Sequence, residues 1–280
     1  MRQYDFPTVG DILDGSVQET LGSSTITIDA LSDSALIREL NRINSEFLRA
    51  AHTKHDNKGW SWMEEVHHFQ SKAATALNGA VSSGASQIIV DSVSGFVSAG
   101  GQLYVLTSKG LVDFMTYTSG ASTTVPVTAS TVNVSHSDGE VVEVLYALPT
   151  DYAKSKTLLV NTVPFEYTSL VQLPSYRFYS IYNGSMLLPK GIGAQDCSLI
   201  YDKKGRDLST GDDTADRALS MNIPTDFIRY AQESLNAYIF MKKRRREDAA
   251  ISKALAAETL QDALSYDIST STSGGLRAAW

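Results

Sequence analysis

From Ile223-Pro224-Thr225-Asp226-Phe227 to about Leu264 the chain carries its longest sustained helical period together with a dense block of positive charge. A proline with fixed φ followed by a short hydroxyl residue suits the first positions of a helix, so Pro224 and Thr225 mark a start. Phe227, Ala231, Leu235, Tyr238 and Ile239 then recur at three- and four-residue steps, which makes one apolar stripe on a 3.6-residue period. Lys242, Lys243, Arg244, Arg245 and Arg246 follow, then Glu247-Asp248, then a second run of Ile251, Leu255, Leu260 and Leu264. The pattern predicts a pair of helical segments with a cationic bend between them.

The remaining totals bound what such a pair belongs to. A chain of 280 residues can bury a core without covalent staples, as one large domain or two smaller ones. A single cysteine, Cys197, excludes an intramolecular disulfide and argues against a disulfide-stapled secreted fold. No run approaches the roughly 18 apolar residues of a membrane span, so no membrane partner is expected. The first residues, Met1 to Pro7, hold no apolar signal core, so folding in a cytosol is the expectation. A net charge of −7 disfavours nonspecific nucleic-acid binding by the whole surface while leaving room for a local basic patch.

Along the chain, residues 1–31 show no long periodicity and read as an extended arm, with a turn at Asp11–Gly15 and a short strand at Ser24–Ile28. Ser32 or Asp33 caps a core-facing helix of about five turns carrying Leu36, Leu40, Ile43 and Phe47, which Lys54–Gly59 ends. Trp60 and Trp62 follow as a wedge at the helix corner. From about Ala73 to Tyr146 the composition turns to Ser, Thr, Val and Gly and is nearly empty of Lys and Arg. Short strands are expected at 87–90, 102–106, 114–118, 124–127 and 141–144, punctuated by glycines at the spacing of a small all-β unit. Beyond it, 157–160 and 198–201 read as strands and 163–167 as an irregular return. Asn183-Gly184 joins 177–182 to 186–189 as a tight hairpin. Residues 205–222, with the acidic run Asp212–Asp216, read as a loop. The segment 269–280 has linker chemistry ending in an apolar plug.

Reactive constellations are sparse. His52 with His55, and His67 with His68, lack a third ligand at metal-site spacing, so no metal is expected and the first pair reads as cations at a helix end. His136 lies in a turn beside Ser135, Ser137 and Asp138, and a trio adjacent in sequence is no catalytic triad. Gly191–Gly193 is too short for a dinucleotide cradle. No catalytic residue, no cofactor and no enzyme activity are expected. The basic run is the sharpest feature. Pairs such as Lys243–Glu247 and Arg244–Asp248 would satisfy part of it on a continuous helix, worth a few tenths of a kcal/mol each. Five consecutive cations repel one another, so a partner role is the competing reading. Without interleaved aromatics, base readout is not expected.

The order of parts resembles the head-to-tail adaptor (connector) proteins of tailed bacteriophages. The likeness is carried by the first helix with its Trp-containing turn, by Leu148-Pro149-Thr150-Asp151-Tyr152 and its strand, and by the Asn183-Gly184 hairpin. It continues with Tyr201-Asp202-Lys203-Lys204, the acidic loop and the C-terminal helical pair. It implies an α+β fold: a helical adaptor core, made of an N-terminal helix plus a C-terminal helical pair, with a β-hairpin/strand region over 32–72 and 147–267. Segment 73–146 resembles an inserted small all-β domain of phage structural proteins, and 268–280 a flexible tail. The implied function is a structural virion protein forming a homo-oligomeric ring, usually of twelve copies. It would connect the capsid portal protein to tail proteins at the neck and assemble in the host cytoplasm. Genomic DNA would pass through the lumen without sequence-specific binding, and twelve chains at −7 would carry roughly −84, a field that keeps DNA from sticking. The candidate portal or subunit interface comprises Lys242, Lys243, Arg244, Arg245, Arg246, Leu276, Arg277 and Trp280. The alternative function is receptor or carbohydrate binding through the β domain, with Tyr104, Phe114 and Tyr117 as its aromatic candidates.

Overall fold

The computed structural model describes residues 5–22, 31–54, 59–168, 177–189 and 191–273. The strand expected at Ser24–Ile28 and the residues Leu276, Arg277 and Trp280 lie outside the described residues. The chain divides into two compact units, one formed by residues 1–64 with 203–280 and the other by residues 65–202.

The first unit is helical. Helix α1 (Val9–Leu21) occupies the place of the expected turn at Asp11–Gly15. Its start is fixed by a capping box: the Asp11 N–H donates to Thr8 Oγ1 at 3.2 Å and the Thr8 N–H donates to Asp11 Oδ2 at 3.0 Å. Val9, Ile12, Leu13, Ser16, Val17 and Thr20 then bury one stripe. A Cβ at Gly10 would lie 3.1 Å from the Arg217 carbonyl, so glycine lets α1 approach that backbone closely. Helix α2 (Asp33–Lys54) is the helix its spacing predicts, at 22 residues about one turn longer than expected, with Leu36, Leu40, Ile43 and Phe47 fully buried. Trp60 and Trp62 stack at 4.6 Å, Trp60 on Phe47 at 4.7 Å and Trp62 on Phe227 at 5.7 Å. Their indole N–H groups donate to the carbonyls of Phe47 and Asn222, which lets both rings be buried without an orphaned donor.

The acidic run expected as a loop forms a short helix, α3 (Asp213–Arg217). Asp212 caps it by accepting from the N–H groups of Thr214 and Ala215, and Arg217 bridges Asp14 and Asp33. Helices α4 (Ile228–Lys242) and α5 (Arg246–Ser273) are the C-terminal pair, entered through a 3-10 turn at Thr225–Phe227. The expected second stripe on α5 divides. Leu264 is buried and Leu260 packs on the core, whereas Ile251 is 60 % exposed and Leu255 lies outside the core. At about 100° per residue, the five-residue step from Leu255 to Leu260 carries the side chain to another flank.

The second unit is β throughout. Its strands are β1 (Glu64–Gln70), β2 (Thr75–Ala76), β3 (Gln87–Ile89), β4 (Gly101–Leu106), β5 (Val112–Tyr117), β6 (Thr124–Pro126) and β7 (Val141–Val144). They continue as β8 (Tyr146–Ala147), β9 (Tyr152–Val160), β10 (Val163–Tyr167), β11 (Phe178–Tyr182), β12 (Ser185–Leu187) and β13 (Asp196–Lys203). Seven form one sheet in the order β1-β13-β9-β10-β11-β12-β8, four form β2-β7-β4-β5, and β3 pairs β6.

This architecture overturns the expected fold class. The described residues hold thirteen strands in three sheets against five α-helices, so the chain is predominantly a β protein and not a helical adaptor core with a small β insertion. The larger sheet takes in the expected strands at 157–160, 177–182, 186–189 and 198–201 as β9, β11, β12 and β13, and adds β1, β8 and β10 to them. Segment 163–167, expected to be irregular, is β10, antiparallel to β9 through a two-residue turn at Asn161 (φ 47°) and Thr162 (φ 67°). Two positive φ values match the right-handed twist of flanking strands, but Asn-Thr is a far weaker turn signal than the Asn183-Gly184 pair that closes β11 on β12. The four- and two-stranded sheets enclose a core of Leu77, Ile88, Leu103, Val105, Met115 and Val125.

Inside the four-stranded sheet sits a buried charge cluster. His136 Nε2 lies 3.1 Å from Asp113 Oδ2 and its Nδ1 lies 2.9 Å from Glu140 Oε2, with the imidazole wholly buried. Asp113 also accepts from the Asn133 N–H and side-chain amide, and Glu140 from the Ser108 N–H. The ring ties β5 to the turn before β7, and with both nitrogens protonated it donates to both carboxylates. Burial pushes the Glu140 carboxyl up, but the Ser108 N–H and His136 outweigh it and hold it below its ordinary value of 4.5. Replacing His136 with Leu leaves two buried carboxylates facing each other, and a loss of about 3–5 kcal/mol is expected in denaturant unfolding. Because the folded pKa of Glu140 is depressed, its contribution is complete above 4.5 and is lost below it, as pH falls through the lower folded value. Glu140→Gln should therefore flatten the acid limb of a stability–pH curve, and an unchanged acid limb would contradict the assignment.

Candidate functional site

The cationic run sits where the chain reverses between α4 and α5. The Arg245 N–H donates to the Phe240 carbonyl at 2.9 Å and the Arg244 N–H to the Met241 carbonyl at 3.1 Å. These are the two bonds of a Schellman motif, which satisfies the last carbonyls of α4. The motif requires a left-handed residue, and here that residue is Arg244 at φ 61°. Glycine occupies this position without strain, whereas a side chain costs roughly 1–2 kcal/mol there.

The five cations have different local duties. The Arg245 guanidinium lies 4.7 Å from the centre of the Phe240 ring and its Nε donates to Asp248 at 2.6 Å. It thereby makes the contact between the residue beyond the turn and the last turn of α4 that an apolar pair usually supplies in this motif. Lys243 is half-buried, and its Nζ donates to the Thr20 carbonyl at 3.3 Å, placing a cation at the negative end of α1. Lys242 lies over the Tyr238 ring at 5.2 Å. Arg244 and Arg246 are exposed, and among the described residues neither side chain has an ion pair or hydrogen bond. The bend breaks the continuous helix on which Lys243–Glu247 and Arg244–Asp248 pairs depend. The ion pair at the corner is Arg245–Asp248 instead.

Beside the corner runs a groove of about 480 Å3 between α2, α4 and α5. Tyr238, Met241, Ala257 and Leu260 give it an apolar lining, and Arg42 and Lys253 stand at its sides. Met241 is 49 % exposed, unusual for a large apolar residue on a helix that buries its opposite face. Arg42 is held by Glu39 and Glu46, and those carboxylates raise its guanidinium above an already high value. Nothing in the sequence pattern marks Met241 as a surface residue. The charged spacing Glu39–Arg42–Glu46 on α2 is the signal that a polar flank stops there.

The other sequence candidates are dispersed. His67 stacks on Phe69, and His68 Nδ1 lies 2.8 Å from Ser198 Oγ. The side chains of His52 and His55 lie outside the described residues. No group of three or more His, Cys, Asp or Glu side chains arranged to hold a metal occurs among the described residues. Tyr104 and Tyr117 are buried in the β unit, whereas Phe114 is half-buried and stacks on the exposed Tyr182 at 4.1 Å. Burial and the neighbouring Glu143 carboxylate push the Tyr104 hydroxyl well above its ordinary value.

No protein family and no curated protein matches the chain. The helical corner therefore stands on its own geometry. Arg244→Gly removes the left-handed side chain and adds chain entropy to the unfolded state, terms of about 1–2 and 0.5–1 kcal/mol that oppose each other. A net gain of about 0.5–1 kcal/mol in thermal or denaturant unfolding is expected, and a loss of stability would show that the arginine side chain supports the fold.

Proposed function

We propose that the protein is a non-catalytic structural component of a tailed-phage virion, a ring subunit at the neck that joins portal to tail proteins while DNA passes through its lumen. The observation that carries the interface role of the corner is Arg244. A strained arginine stands where glycine would be free of strain, at the tip of a helix reversal, with Arg246 and Lys242 exposed beside it. The left-handed conformation serves the backbone turn, which glycine would complete without strain, and the arginine side chain makes no ion pair or hydrogen bond among the described residues, so its place there is accounted for by a contact outside the chain. The virion context comes from the resemblance in the order of sequence segments: the first helix with its Trp-containing turn, the Asn183-Gly184 hairpin and the C-terminal helical pair.

The corner's exposed cations suit an acidic protein surface on portal or on a neighbouring copy. Leu276, Arg277 and Trp280 complete the proposed contact as an apolar anchor tethered by Gly274-Gly275. The reading is tested by co-sedimentation with portal rings. Replacing Lys242, Arg244 and Arg246 together with Ser is expected to weaken docking and to flatten its salt dependence while leaving the melting temperature within a few degrees. Docking that is unchanged in the triple variant at low and high salt would remove the corner from the interface.

A further inference from the structure

An asparagine or aspartate followed by glycine is chemically labile, because a backbone nitrogen next to a residue without a Cβ can reach the preceding side-chain carbonyl carbon unhindered. The chain holds four such pairs: Asp14-Gly15, Asn78-Gly79, Asp138-Gly139 and Asn183-Gly184. The fold engages three of the four glycine N–H groups. Gly15 lies inside α1, where its N–H belongs to the helical ladder. The Gly79 N–H donates to Asp138 Oδ1 at 2.7 Å, and the Gly139 N–H donates to the Leu77 carbonyl at 2.9 Å. Gly184 differs. The β11–β12 hairpin pairs Tyr182 with Ser185 around it, and the Gly184 N–H has no acceptor among the described residues. Asn183 and Gly184 are both exposed, so water and hydroxide reach the turn.

We propose that Asn183 is a site of spontaneous covalent modification in the folded protein, deamidating to aspartate and isoaspartate while Asn78 is shielded. Hydroxide takes the Gly184 amide proton, and the nitrogen attacks Asn183 Cγ. An N–Cγ bond forms, the Cγ–Nδ2 bond breaks, and the side-chain nitrogen takes up a proton and departs as ammonia. Water then opens the resulting succinimide. Cleavage at Cγ leaves aspartate, and cleavage at the main-chain carbonyl leaves isoaspartate, with the proton returning to the Gly184 nitrogen. At Gly79 the same first step would set an anionic nitrogen against the Asp138 carboxylate, and the charge-assisted bond must break before attack. That slows Asn78 about tenfold or more. Isoaspartate routes the main chain through Cβ and lengthens a two-residue turn whose φ values are 46° and 74°. The contacts that seat the turn depend on its length: Gln102 Nε2 to the Asn183 carbonyl at 3.4 Å, the Leu148 N–H to the Gly184 carbonyl at 3.1 Å, and the Tyr182–Phe114 stack. Modification therefore loosens β11 and β12 within the seven-stranded sheet.

The test is peptide mapping by mass spectrometry of the full chain held folded at mildly alkaline pH, beside the same chain held in denaturant. The folded protein is expected to modify Asn183 about tenfold or more faster than Asn78, and the denatured chain to modify both at comparable rates. Asp138→Ala should raise the folded-state rate at Asn78 toward that at Asn183, and an unchanged rate would remove the shield. Asn183→Gly keeps a residue suited to positive φ and carries no side-chain amide, so its melting temperature should hold on ageing while that of the wild type falls. Equal rates at the two asparagines in the folded protein would overturn the assignment, whether or not Asp138→Ala folds. An Asn183 that stays intact in the folded chain while the denatured chain yields product would overturn it as well. An unchanged melting temperature at full conversion would overturn the loosening of the hairpin.

Discussion

Two long helices can lie antiparallel only if the chain reverses within a few residues and the last carbonyls of the first helix find donors. The Lys243–Arg245 corner meets both conditions through a left-handed residue and two backbone bonds. The rest of the helical unit follows from that reversal. It returns α5 along α4, so that Ala256, Ala263 and Leu264 close the core begun by Leu36, Phe47 and Ile239. It brings Lys243 onto the end of α1 and leaves a groove where α2 stops short of covering α4. Using arginine at the strained position concentrates positive charge at the point farthest along the reversal, where no intramolecular partner among the described residues neutralises it.

The β unit answers a different constraint. Some strands, such as β5 and β13, alternate buried with less buried residues, while β4 and β12 bury consecutive ones. The small four-stranded sheet then carries three buried ionisable groups at His136, Asp113 and Glu140. A buried cluster of that kind is tolerable only when each member has its bonds, and the Asn133 and Ser108 donors supply the remainder. Such a cluster specifies how β5 meets the turn before β7 and contributes no site for an external ligand.

Where local chemistry alone decides an element, the sequence was a sufficient guide. The spacing of Leu36, Leu40, Ile43 and Phe47 fixed α2, and Asn183-Gly184 fixed the β11–β12 hairpin, because each signal is confined to a few residues. Helix α1 escaped notice since Gly10 and Gly15 interrupt its propensity, and only the Thr8–Asp11 capping box betrays its start. Strand β1 hides in Glu64-Glu65-Val66-His67-His68, and β10 carries Pro164 beside a two-residue turn without glycine. Sheet order depends on contacts distant in sequence, which is why the extent of β structure was underestimated. At the site, charge made the corner legible, but the left-handed Arg244 and the two-faced character of α5 required the fold.

The central claim is that the helical unit exists to be built into a ring against portal. Negative-stain imaging with rotational averaging, made on the protein incubated with portal rings, addresses it most directly. The account predicts a second tier of density on one face of the portal with a closed central channel of matching symmetry. Portal particles indistinguishable from those alone, with this chain remaining free at concentrations where portal is saturated by its other partners, would contradict it.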